Sequence, residues 1–126
     1  MPVIMFKPQF AELVRTGAKL QTVRPVRKHP VKVGDALTMR AWVGRPYWSK
    51  QRHLRFDTCR KTYGIDIDAH GLLWLNGGTV LLSAESHERF ARTDGFKNHA
   101  EMTAWFKETH GLPFKGVVIS WAEDSK

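Results

Sequence analysis

Tyr47 and Trp48 stand among Arg45, Lys50 and Arg52. An aromatic ring flanked by cations can stack a nucleobase while the cations hold its phosphates; a loop aromatic folded back onto the protein fits the same residues. A second group is Gly17-Ala18-Lys19-Leu20-Gln21-Thr22-Val23-Arg24. If 20–24 is a strand, Thr22 and Arg24 share a face by period two, and Lys19 must reach in from the turn before it. The plainer alternative is a basic sheet edge with an ordinary surface lysine, and spacing alone favours it. Six histidines invite a metal, but His99-Ala100-Glu101 lacks the Pro-Cys-x-x-Cys that completes a zinc deaminase, since Cys59 is the sole cysteine. His53, His70, His87 and His110 have no mutual ligand spacing and read as surface or capping histidines, so no metal site is expected. Cys59 has no recognisable partner histidine for nucleophilic work. Asn76-Gly77-Gly78-Thr79 lacks the lysine and spacing of a phosphate loop, so neither ATP, NAD nor another cofactor is expected.

The elements that must position these residues belong to a chain of 126, enough for one domain over 1–126 and too short for two ordinary ones. A hydrophobic share of 42% with 25% charged residues is that of a globular protein, which excludes a coiled coil, a fibre or a disordered tail as the default. The lone cysteine fits a reducing cytoplasm, and no apolar run approaches a bilayer span, so neither secretion nor a membrane partner is expected. Charge is unevenly spread. Residues 1–61 hold 14 Lys/Arg against 3 Asp/Glu, and residues 62–126 hold 6 against 9. A half that is strongly basic is the footprint of a surface meeting phosphates or another polyanion; a merely solvated basic face is the alternative.

Val3 to Phe6 is a short apolar run that predicts a first strand. Pro8 suits a helix's first turn, Phe10, Leu13 and Val14 share a face, and Gly17 is a stop, which predicts a helix over 8–16. A strand over 20–24 follows, then a basic loop between Pro25 and Pro30 carrying Arg27, Lys28 and His29. Alternation over 36–42 predicts a half-buried strand, and 44–52 a long surface loop or sheet edge. Further strands are expected near 54–59, 63–67, 72–75 and 79–83, with Asn76-Gly77-Gly78 as a hairpin turn. Asn98 and Glu101 form a capping pair for a helix over 99–109 whose Met102, Trp105 and Phe106 face the core. Phe114 to Trp121 is a last, buried strand. Many short strands and two main helices predict an α+β domain built on a small antiparallel β-barrel, which avoids open edges.

Thr16-Gly17-Ala18-Lys19-Leu20-Gln21-Thr22-Val23-Arg24 after a short helix, then Lys32-Val33-Gly34-Asp35 before a strand, resembles the ASCH domain of the PUA-like superfamily. Asp94-Gly95-Phe96 before an amphipathic helix and the final apolar strand continue the resemblance along essentially the whole chain. It implies a PUA-like pseudo-barrel with a cleft between barrel and helices, in a family generally proposed to bind RNA. Some members are N4-acetylcytidine amidohydrolases that use a lysine, a threonine and a glutamate. Carried over, these fall on Lys19, Thr22 and Asp94, the last one methylene shorter than the family's glutamate. Thr22 would then be the nucleophile, Lys19 its base, Asp94 an orienting carboxylate or proton carrier, and Arg24 a partner for the oxyanion. Other ASCH proteins are ribonucleases, and the same basic cleft would serve them. The partner expected is RNA or a modified nucleoside, held by Arg24, Arg27, Lys28, Arg45, Tyr47, Trp48, Lys50 and Arg52. A protein-interaction module with an acidic partner is a third reading of the same basic face.

Overall fold

The computed structural model describes residues 2–45, 48–75 and 78–122. Among them, the elements run β1 (Val3–Phe6), α1 (Pro8–Thr16), β2 (Gln21–Arg24), β3 (Ala36–Trp42), β4 (Gln51–Thr58), β5 (Lys61–Ile67), β6 (Leu73–Leu75), β7 (Val80–Leu81), α2 (Ala84–Thr93), α3 (His99–Thr109) and β8 (Phe114–Ser120). The class is α+β. Two sheets form, one in the order β1-β3-β4 and one in the order β2-β8-β5-β6-β7.

Local chemistry explains most of the boundaries. α1 starts on Pro8, whose missing N–H costs nothing in a first turn, and ends where Gly17 takes φ 87° and its N–H closes onto the Val14 carbonyl. The Asn98 side chain caps α3 by accepting from the Glu101 N–H at 2.8 Å. β6 and β7 pair antiparallel, as a hairpin requires; Asn76 and Gly77 of its expected turn lie outside the described residues.

Three features differ from the expectation. Among the described residues there are three helices where the sequence predicts two, because 84–93 is helical. Its buried face is His87, Phe90 and Ala91, a stripe at i, i+3 and i+4 that contains one large apolar residue. β1 and β3 are parallel, with Val3 opposite Thr38 and Phe6 opposite Ala41. That direction is open to them because the chain between them is long enough to hold α1 and β2. No strand ladder joins the two sheets among the described residues. Their edge strands β1 and β2 are instead bridged by side chains: Arg24 Nη2 donates to the Met5 carbonyl at 2.6 Å, and Arg27 Nη2 reaches the Val3 carbonyl at 3.5 Å. This seam between two edges is where the cleft opens.

The core is built from Leu37 and Met39 on β3, Ile65 and Ile67 on β5, Val118 and Ile119 on β8, and Trp121, with Phe6 edge-on to the Trp121 ring. Met102 and Phe106 close it from α3. β2 is fixed to β8 in antiparallel register, Thr22 opposite Ile119 and Arg24 opposite Val117. Gly116 permits this approach: a Cβ there would overlap the Arg24 carbonyl oxygen and lie 2.9 Å from Phe114 Cε2. Gly116→Ala is therefore expected to destabilise the fold by about 1–3 kcal/mol, read as a lower Tm in thermal unfolding. No helix of the described residues is long and apolar enough to cross a membrane.

Candidate active-site cleft

Lys19 sits in a connection pinned at three points. Its N–H donates to the Leu13 carbonyl, the Leu20 N–H to the Thr93 carbonyl, and the Trp121 N–H to the Leu20 carbonyl, at 2.9, 2.9 and 3.0 Å. The end of α1, the end of α2 and the end of β8 thus fix the backbone that enters β2. Asp94 caps α2, and Gly95 beyond it takes φ 95°. A Cβ on Gly95 would lie 3.2 Å from Lys19 Cβ and 3.3 Å from Leu13 Cδ1, so glycine also lets the two segments touch.

This packing brings together two groups 75 residues apart. Lys19 Nζ donates to the Asp94 backbone carbonyl at 2.5 Å and lies 3.5 Å from Asp94 Oδ1. Both residues are 3% exposed. Asp94 Oδ1 is buried with no hydrogen-bond partner closer than the Lys19 ammonium, and the buried Gln21 side chain also helps hold the carboxyl down. Burial pushes the Asp94 carboxyl up to about 6, although the Lys19 ammonium pulls it the other way. Burial likewise pulls Lys19 down from 10.5, with Asp94 resisting and Arg24 assisting. The proton affinities of acid and base therefore converge inside one pair.

Thr22, 4% exposed, and Arg24 share a face of β2, as period two requires. Arg24 Nε donates to Thr22 Oγ1 at 3.0 Å, and its guanidinium lies 4.9 Å from the Phe6 ring centre. Burial pulls Arg24 down to about 10, which leaves it charged at neutral pH. Lys19, Thr22, Arg24 and Asp94 line one cleft of about 140 Å³. That is small against the roughly 300–1,000 Å³ of sites that enclose a drug-sized ligand, and suits one planar group.

Aromatic side chains make the cleft's walls. Phe10 stands edge-on to both Phe96 and Trp105, at 5.5 Å in each case, and Lys19 Nζ lies 4.9 Å from the Phe10 centre. Phe6, Phe106 and His110 complete the aromatic part of the lining. His110 is kept below its usual value by burial, then by Lys7 and Arg24. Sequence periodicity assigns Trp105 and Phe106 to the core; Phe106 is buried, whereas Trp105 is half-exposed and belongs to the cleft as well. Phe10, Phe96 and His110 carry no sequence signal that separates a cleft wall from packing.

The other candidate residues lie apart from this group. Arg27 and Lys28 are exposed on the loop that follows β2. Arg45, Lys50 and Trp48 lie on the loop after β3, and Tyr47 is outside the described residues. Trp48 is 79% exposed, with the Arg45 guanidinium 5.2 Å from its ring centre. Arg52 is on β4 rather than in the loop and donates to Glu12 at 2.7 Å. Because β1 and β3 run parallel with Phe6 beside Ala41, this loop leaves the sheet at the end that carries Met5, Phe6 and Lys7 of the cleft.

Two residues lie buried where spacing favours the surface, Lys19 and His87. His87 is a buried staple rather than a surface histidine: Nε2 accepts from the Leu73 N–H at 2.8 Å, and Nδ1 donates to the Ser83 carbonyl at 2.7 Å. Cys59 is buried, and burial pushes its thiol up, away from thiolate chemistry. Among the described residues, no three of His, Cys, Asp and Glu converge where a metal ion would bind. Comparison of the chain with protein-family models, curated proteins and solved structures finds no match.

Proposed function

We propose that the chain is an ASCH-type domain whose cleft binds a modified pyrimidine nucleoside and hydrolyses its exocyclic amide, with N4-acetylcytidine as substrate. In this reading the two sheets are a PUA-like barrel left open along the seam between β1 and β2. The observation that carries it is the Lys19–Asp94 pair, buried in the cleft that Thr22 also lines, with burial lowering the amine and raising the carboxyl toward one another. A pair kept only for structure gains nothing from that convergence.

The chemistry follows from the groups in place. A proton passing from Lys19 to Asp94 leaves a neutral amine and a carboxylic acid. Thr22 Oγ1 attacks the acetyl carbonyl carbon and gives its proton to Lys19, and the oxyanion forms beside the Arg24 guanidinium. As the C–N4 bond breaks, Asp94 protonates the leaving nitrogen, and the acetyl group stays on Thr22 as an ester. Water then attacks that ester through the same two transfers, releasing acetic acid and restoring the threonine hydroxyl. Asp94 Oδ1, buried without a hydrogen bond, has the capacity to accept the exocyclic N–H of the bound amide. The aromatic walls suit a planar base.

The Lys19–Asp94 pair sets a pH profile for cytidine release. Below about 6 both members of the pair are protonated and Lys19 has no acceptor for its proton, so kcat/KM is expected to rise as pH passes through about 6. The alkaline fall should come below the ordinary lysine value of 10.5, where the shared proton is lost. A profile flat between pH 5 and 8, or no cytidine release at all, contradicts the proposal.

RNA binding is favoured by a separate observation, the exposed Trp48 with Arg45 on its ring at the cleft's end of the sheet. Such a platform stacks an unpaired base of a bound strand. Salt-sensitive affinity for RNA that weakens in Trp48→Ala tests it.

A further inference from the structure

The seam between β1 and β2 does not end at the cleft. Beyond Met5, Arg24 and Pro25 it widens into a groove of about 380 Å³ between β1 and the segment Arg24–Arg27. Met5, Arg24 and Pro25 line both, so cleft and groove are neighbours on either side of the Arg24–Met5 hydrogen bond. No carboxylate lines the groove, and among the described residues neither Arg24 nor Arg27 has an acidic partner within ion-pair distance.

Two guanidiniums at one groove without a carboxylate between them is an arrangement that repels itself. The repulsion is felt: the Arg27 charge pulls Arg24 down, after burial and against Asp94. Both nevertheless turn to the same strand: Arg24 is held by donating to the Met5 carbonyl at 2.6 Å, and the exposed Arg27 reaches the Val3 carbonyl at 3.5 Å. Preset positive charge of this kind is relieved by an anion, and planar guanidinium forks fit the oxygens of a phosphate. Val3 and Val26, both exposed, add apolar surface to the groove, suited to a sugar face.

We propose that this groove is a phosphate subsite, and that the chain takes a nucleotide, bearing a phosphate ester on its ribose, in preference to the nucleoside. The inference rests on the cleft being the site of the base and its amide. Arg27 is the specificity residue of the subsite, and Arg24 serves both compartments.

The test compares N4-acetylcytidine with its 5′-monophosphate and its 3′-monophosphate. One of the two nucleotides is expected to exceed the nucleoside in kcat/KM by about tenfold or more, the effect of one charge-assisted contact, and which one it is tells the direction of the ribose. Arg27→Ala is expected to bring that ratio toward one, and Arg27→Lys to keep part of it. Equal kcat/KM for all three compounds, or a nucleotide preference indifferent to Arg27, overturns the subsite while the amidohydrolase reading stands. In parallel, calorimetry measures binding of cytidine 5′- and 3′-monophosphate, which needs no turnover. Binding that depends on Arg27, with no hydrolysis of any acetylated compound, keeps the phosphate subsite and removes the amidohydrolase reading.

Discussion

Lys19→Met is expected to lower kcat for N4-acetylcytidine by about 10²–10⁴-fold, the range for removing a positioned base. Lys19→Arg should lose as much, and that variant separates chemistry from architecture. An arginine retains the positive charge opposite Asp94 and satisfies an ion pair, yet it does not give up its proton near neutral pH. If Lys19 only held α2 against β2, arginine would restore activity wherever it fits. Steady-state kinetics on folded variants decides between the two. Folding must be followed as well, because Lys19→Met strands the Asp94 carboxylate in a buried site, and breaking such a pair costs about 3–5 kcal/mol when the remaining charge stays ionised. The sign of the pH dependence is fixed by Asp94. Its carboxyl in the fold is raised to about 6 from 3.8, so its contribution to stability is fully present below 3.8 and is lost as pH rises through 6. Without Lys19 the carboxyl goes higher still. Lys19→Met should therefore unfold more easily than the natural protein at pH 7 and recover part of the difference at pH 5.

Replacing both members of the pair has the opposite effect. Asp94 is raised and Lys19 lowered, each by burial, so both charged forms are held against their preference in the fold. For Asp94 alone the shift corresponds to a cost on the order of 3 kcal/mol at pH 7. The double variant Lys19→Met, Asp94→Leu removes two buried charges and is expected to be more stable than the natural protein by about 1–4 kcal/mol at pH 7, with no hydrolytic activity. Chemical denaturation at constant pH measures it. A double variant less stable than the natural protein would mean that the pair earns its place structurally. The expected result would mark the site as one where stability is given up for proton transfer.

The sequence is informative where periodicity and caps agree. The helices over 8–16 and 99–109 are legible because Pro8 and Gly17, or Asn98 and Glu101, bound a spaced apolar stripe. The strand over 36–42 is legible from its alternation. α2 is not, because its buried stripe runs through His87, which hydropathy counts as polar and which the fold uses as a doubly bonded core group. Ser83, whose side chain accepts from the Ser86 N–H at 3.1 Å, is the one local signal for that helix. Strand direction is equally hidden: an apolar run in β1 and an alternating pattern in β3 mark strands, not whether the neighbours are parallel. Within the cleft, Thr22 and Arg24 follow from period two, whereas spacing alone favours a surface Lys19, which the contacts of α1 and α2 bury. Asp94 has no local pattern to announce it and enters only through the resemblance. Phe10, Phe96 and Trp105 look like core residues because a cleft wall and a core obey the same apolar rule.

The most direct test is the release of cytidine and acetate from N4-acetylcytidine by the purified protein, followed by chromatography beside Lys19→Met and Asp94→Glu. Turnover is expected from the natural protein, with its loss in Lys19→Met and its persistence in Asp94→Glu, which keeps the carboxylate. No release of cytidine by either the natural protein or Asp94→Glu would contradict the amidohydrolase reading.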